Sequence, residues 1–184
     1  MRLNIYDETS ILKTVILGRA DTIGNKPKLN QTYDPSSLLN LKKGTYPQKS
    51  DLVKELNTYK ATLEKNRIKV LELDKILNCN QIYARDIGFV IQRFFLVSNI
   101  IALRGREIHG LNSILSEIDT SKIIKLPEEV HIEGGDVILD NDKIFIGYYN
   151  KSDYKKQKTA RTNIFGVKYL ENFFGKQKIK SFEL

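Results

Sequence analysis

Three acidic residues have types and spacing that can do chemistry. Asp86 ends the run Tyr83-Ala84-Arg85-Asp86, and Glu133 and Asp136 lie in His131-Ile132-Glu133-Gly134-Gly135-Asp136. Each run sits at the mouth of an apolar segment, and Asp86 and Asp136 stand 50 residues apart at equivalent points of two similar stretches. If those stretches are arranged about an axis, the strand ends converge and the three carboxylates form one cluster. Carboxylates held together need a cation to stay ionised. A hard metal ion with oxygen ligands is one candidate. An organic guanidinium is the other, because it is planar and two carboxylates can clamp it through paired hydrogen bonds. The Gly134-Gly135 pair has no Cβ and lets the backbone come close to a flat ligand. The same acids also fit a structural role, capping turns or pairing with the abundant lysines.

The elements that would position these residues follow from the hydrophobic pattern. Leu12–Gly18 reads as a buried strand that ends in glycine. Residues 19–50 are rich in Asn, Pro, Gly, Ser and Lys, and they read as a long irregular excursion. Over 51–67, Leu52, Val53, Leu56, Tyr59 and Leu63 share a helical stripe, with Ser50 placed to cap it. Residues 68–73 alternate as a strand. Asp86–Ile91 then turns at Gln92-Arg93 into Phe94–Ser98, followed by a helix with Ile108, Leu111, Ile114, Leu115 and Ile118 on one face, and by a strand at 123–126. The order recurs: Asp136–Leu139, a turn at Asn141-Asp142, Lys143–Gly147, a helix at about 162–174 and a strand at 179–182. The chain thus reads as three ββαβ-like modules, about 1–75, 83–127 and 131–184, with a period near 50. A period of that size implies a radial or solenoid α/β architecture in which each unit needs neighbours to bury its faces.

Length and composition bound the rest. A chain of 184 residues with 41% hydrophobic content suits one globular domain or a piece of a larger one. The first ten residues carry Asp7 and Glu8 and have no apolar core of a secretory signal, and no run of 18 apolar residues occurs, so a cytoplasmic protein without a membrane span is expected. One cysteine, Cys79, excludes an internal disulfide framework. The net charge of +8 suits a lysine-rich solvated surface. It also admits a nucleic-acid partner, but the lysines are scattered and show no interleaving with aromatic residues, which makes nucleic acid the weakest reading.

A resemblance adds to this reading. Tyr83-Ala-Arg-Asp-Ile-Gly-Phe-Val-Ile with His131-Ile-Glu-Gly-Gly-Asp-Val resembles the guanidino-group-modifying superfamily of arginine deiminases, dimethylarginine dimethylaminohydrolases and amidinotransferases. Thr159-Ala-Arg-Thr-Asn-Ile-Phe-Gly-Val is similar to the family's Arg-Thr-Asn segment, and Leu12-Lys-Thr-Val-Ile-Leu-Gly to its first strand. The resemblance implies a pentein-like propeller of five ββαβ modules, of which this chain carries about three in a single incomplete domain. It implies that Asp86 binds the substrate guanidinium and that Glu133 is the second carboxylate and assists proton transfer. It places Asp136 near the site and matches Arg161 to an arginine that in some members binds the substrate carboxylate. It implies arginine-like small-molecule substrates and no metal or other cofactor. The family's chemistry is covalent: a cysteine thiolate attacks the guanidinium carbon, and a histidine serves as acid and base.

The sequence departs from that pattern in one respect. Its only cysteine is Cys79 and its only histidines are His109 and His131, none of them at the family's catalytic positions. Cys79 reads as a small buried or loop thiol, His131 as a structural neighbour on the face of Glu133, and His109 as a surface residue. The expected protein is therefore the N-terminal portion of a guanidino-modifying enzyme, truncated before its nucleophile and general base and inactive alone. A complementary chain or self-association would cover its end modules. The alternative is a non-catalytic ligand- or protein-binding module of the same fold.

Overall fold

The β-branched run Thr14-Val15-Ile16-Leu17 forms the first strand, β1 (Thr14–Leu17), in a computed structural model that describes residues 1–32, 34–151 and 161–184. It pairs in parallel with β2 (Lys69–Glu72), Thr14 opposite Lys69 and Leu17 opposite Glu72. Parallel neighbours need a crossover, and two helices lie in it. The first, α1 (Pro35–Lys43), falls in the stretch expected to be irregular. Its signals are local: Asp34 accepts from the Ser37 amide as N-cap, Pro35 opens the first turn, and Gly44 closes the helix at φ 72°. The second, α2 (Lys49–Lys65), begins two residues earlier than its polar signal suggested. Gln48 is the N-cap without a side-chain cap, and Ser50 lies inside the helix. Leu63 is its buried residue, whereas Tyr59 is exposed.

The chain divides into two compact units, Leu12–Ala84 and a second made of Met1–Ile11 with Arg85–Leu184. In the first, the buried Gln81 side chain ties the loop after β2 together, accepting from the Ile76 amide and donating to the Asp74 carbonyl. Cys79 is buried there, its amide donating to the Thr22 carbonyl.

The second unit contains two sheets of one design. A one-turn helix, α3 (Ala84–Ile87), leads into β3 (Gly88–Ile91), which pairs antiparallel with β4 (Phe94–Val97). After an excursion through Ala102–Leu111 and α4 (Asn112–Ser116), β5 (Ile123–Lys125) returns parallel to β4. Then β6 (Val137–Asp140) pairs antiparallel with β7 (Lys143–Tyr148), and α5 (Ile164–Phe174) leads to β8 (Ile179–Glu183), parallel to β7. Each sheet therefore has the sequence order strand, strand, crossover, strand. The hairpin turns fall at Gln92 (φ 55°) and Asn141 (φ 52°), at the dipeptides the sequence marks. Phe89, Ile91 and Leu96 from one sheet, Val137, Leu139, Ile144 and Ile146 from the other, and Val167, Leu170 and Phe174 from α5 share one core. Asn163 caps α5 by accepting from the Gly166 amide. The excursion differs from the expected helix: Ala102–Leu111 is a 3-10 helix, and only Asn112–Ser116 is α-helical.

Residues 1–11 belong to this second unit. Ile5 bridges Gln92, and Asp7 bridges Asp140, so the N-terminal arm lies along the ends of both hairpins. No described helix is long and apolar enough to cross a membrane.

A candidate guanidinium-binding cluster

Arg85 fixes the loop that carries the acids. Its guanidinium donates to the Gly134 carbonyl at 2.9 Å and the Val137 carbonyl at 2.7 Å, at the first residue of the 3-10 turn Gly134–Asp136 and just after its last. Glu8 of the N-terminal arm grips the same guanidinium with both oxygens, at 2.6 and 3.0 Å, and also accepts from the Leu139 amide. The Arg85 hydrogen bond holds the Glu8 carboxyl below its ordinary range, against the opposing effect of burial. Both glycines of the turn are needed for this approach. A Cβ on Gly134 would overlap the Arg85 carbonyl, and one on Gly135 would stand 2.8 Å from Asp86 Oδ1. The room the glycines leave is thus filled by Arg85 and Asp86 themselves.

This geometry brings together Asp86, Glu133, Asp136 and Arg161, the four residues singled out in the sequence. Arg161 Nε donates to Glu133 Oε2 at 2.5 Å, and its Nη2 reaches Asp86 Oδ2 at 3.4 Å. Asp136 acts on the backbone: its Oδ2 accepts from the Arg161 amide at 3.0 Å and from the Thr162 hydroxyl at 2.8 Å. The Thr162 hydroxyl in turn accepts from the Glu133 amide.

Two members of the cluster escaped the sequence reading. Arg104 donates to Asp86 Oδ2 at 2.8 Å, lies 3.4 Å from Glu133 Oε2, and is held by two hydrogen bonds to Glu107 at 2.8 and 2.7 Å. Their spacing gave a signal, but only for a 3-10 helix, where side chains three apart eclipse. Arg104, Glu107 and Gly110 are all buried on that stripe. Read with α-helical spacing, the pair resembles a solvated surface ion pair.

Burial dominates the electrostatics. Glu133 is 1% exposed. Desolvation pushes its carboxyl up to about 7, although Arg161 and Arg104 pull it down. Burial likewise raises Glu107 and Asp136 above the ordinary carboxylate range. Arg161 is raised too: burial opposes its charge, and the carboxylates of Glu133 and Asp86 outweigh that effect. The cluster thus sets four carboxyl groups against two guanidiniums, an acidic excess among the described residues. Both arginines converge on Glu133 Oε2, while Glu133 Oε1 is buried without a hydrogen-bond partner among the described residues. An orphaned buried carboxylate oxygen is costly, and this one has capacity for one more donor.

The histidines and the cysteine lie elsewhere in the hydrogen-bond pattern. His131 Nδ1 meets the Asn99 carbonyl at 3.0 Å, and His109 is exposed. The hydrogen bonds described within the cluster run among carboxyls, guanidiniums, Thr162 and backbone amides.

No known protein-family profile matches the sequence. An uncharacterized protein of Bacillus subtilis (strain 168), YkgA, is 34% identical over 76 residues, which is 40% of this chain and 25% of that protein. Solved structures match over nearly the whole chain. The inosamine-phosphate amidinotransferase of Streptomyces griseus superposes with a TM-score of 0.71 at 14% identity, covering 100% of this chain and 63% of its own. The dimethylarginine dimethylaminohydrolase of Pseudomonas aeruginosa, complexed with citrulline, gives 0.64 at 16%, covering 95% and 62%. The N-terminal domain of ArgZ, a cyanobacterial arginine dihydrolase, bound to product, gives 0.70 at 14%, covering 95% and 58%. The chain spans about three fifths of the length of these structures. Its α/β architecture, with helices crossing over between strands of small sheets, is the pentein fold that these structures share.

Proposed function

We propose that the cluster binds a guanidinium group, and that the chain forms the guanidinium-binding portion of an enzyme of arginine deiminase, dimethylargininase or amidinotransferase type. The observation that carries this is Glu133, buried beside Asp86 with Oε1 left without a hydrogen-bond partner among the described residues, in an environment of acidic excess. A guanidinium is the cation that carboxyl groups in this arrangement pair with, and it brings five donors in one plane, enough to reach Oε1 as well. Asp86 holds one edge of it, and Glu133 holds the other and handles the proton. Asp136 contributes through the backbone of Arg161, and the Arg161 guanidinium meets the carboxylate of an arginine-like substrate. The two three-stranded sheets and the β1–β2 pair are three successive modules, about 1–75, 83–127 and 131–184, of an α/β propeller of five.

Calorimetric titration with L-arginine tests the assignment. Replacing Asp86 by Asn removes charge-assisted hydrogen bonds worth about 1.5–3 kcal/mol, which weakens binding roughly tenfold to a hundredfold. The conservative Glu133→Gln variant, which keeps the shape of the site, weakens it as well. Unchanged arginine affinity in both variants would overturn the site.

Covalent chemistry on a guanidinium needs a thiolate and a proton shuttle, and the hydrogen bonds described in the cluster contain neither. That feature favours a second reading, a binding module without turnover. The 184 residues are expected to bind arginine without releasing citrulline; release at an enzyme-like rate would assign the nucleophile to this chain.

A further inference from the structure

We infer that Arg161 is an internal competitor for the site. Its guanidinium holds the carboxylate oxygens that a guanidino ligand would hold, and such a ligand enters by displacing the Arg161 side chain. The inference rests on the guanidinium-binding reading of the cluster and adds to it a gate built from the protein's own side chain.

The geometry is that of a ligand mimic. Arg161 bridges the two carboxylates assigned to ligand binding, with Nε on Glu133 Oε2 and Nη2 facing Asp86 Oδ2. The two arginines of the cluster differ in how they are held. Arg104 is 2% exposed in its side chain and locked by the paired bonds to Glu107, as a permanent counter-ion would be. Arg161 is 19% exposed, and the ion pairs described for it run to Glu133 and Asp86. Its backbone is fixed separately, by Asp136 on its amide and on the adjoining Thr162 hydroxyl. The side chain can therefore rotate away while the chain trace stays in place.

Arg161 is also an incomplete occupant. It reaches Glu133 through Oε2, an oxygen it shares with Arg104, and leaves Oε1 buried and without a hydrogen-bond partner among the described residues. A ligand guanidinium entering from outside is not tethered to this backbone and has five donors to place, so it can take up Oε1 as well. The exchange replaces one guanidinium by another and leaves the charge of the cluster unchanged. A site filled by its own side chain nine-tenths of the time shows a ligand affinity lowered about tenfold.

Methylguanidinium is the probe, because it has no carboxylate to engage Arg161 directly. The Arg161 Nε–H resonance is followed by 15N NMR in the intact protein and assigned by its loss in Arg161→Lys. Displacement predicts that methylguanidinium shifts this resonance to a solvent-exposed position, with the same midpoint that calorimetry gives for binding. It also predicts about tenfold tighter methylguanidinium binding by Arg161→Ala. Binding detected in Arg161→Ala and absent from the wild type would support the inference in its strongest form. Saturable, Asp86-dependent binding with the Arg161 resonance unmoved would overturn it and leave the guanidinium-binding reading standing. No binding by either protein would remove that reading, and the gate with it.

Discussion

A carboxyl that keeps its proton near neutrality makes folding itself respond to pH. Glu133 is raised from an ordinary 4.5 to about 7, first by burial and then by the charge of Asp86, against Arg161 and Arg104. Between those values the unfolded chain has lost the proton that the folded chain retains, so unfolding releases a proton and stability falls as pH rises through this window. The melting temperature is therefore expected to decline from about pH 4.5 to 7, and Glu133→Gln to flatten that decline. A wild-type curve that rises over the window would contradict the burial argument. Asp7 and Asp21, both lowered to about 2, act with opposite sign in a separate, more acidic window. At this scale the site was largely legible, because Asp86, Glu133, Asp136 and Arg161 stand in short ordered runs. Arg104 and Glu107 were not, because their partnership depends on a local helix geometry that the alternation of apolar residues does not report.

At the scale of elements, the cluster depends on a strut from outside its own motifs. Glu8 on the N-terminal arm, Arg85 before Asp86, and the carbonyls of Gly134 and Val137 form one chain of hydrogen bonds. Removing Glu8 takes away two of the four hydrogen bonds described for the Arg85 head group and loosens the turn between Glu133 and Asp136. Because the pair is partly solvated, the expected loss is about 1 kcal/mol, read as roughly fivefold weaker arginine binding by Glu8→Ala. Equal affinity for the two proteins would show that the turn holds itself. The strands and their hairpin turns were readable from β-branched runs and from Gln92-Arg93 and Asn141-Asp142. Helix α1 was not, since its apolar stripe is short and none of its residues is buried. Its Asp34-Pro35 start and Gly44 stop were nonetheless present in the sequence. The Glu8 strut was illegible for another reason: it joins residues 77 positions apart, and no local pattern encodes that pairing.

For the molecule as a whole, the repeat near 50 residues was the informative signal, and it corresponds to two sheets of identical strand order. The first stretch departs from it, with two strands, β1 and β2, among the described residues where the repeat predicted three. The reason is physical: the residues before Leu12 are mostly exposed and join the hairpin ends of the other unit by single bridges.

That arm has a consequence for the order of events during synthesis. Residues 12–84 find their pairing partners within their own stretch, so they can fold soon after they emerge. Ile5 must wait for Gln92, and Asp7 for Asp140. At roughly 5–20 residues per second, Ile5 and Asp7 spend several seconds without their partners. The Glu8 strut is completed only when the turn at Gly134–Asp136 has appeared. Residues 5–8 thus dock long after they are made, and the cluster becomes rigid only once Arg161 has emerged.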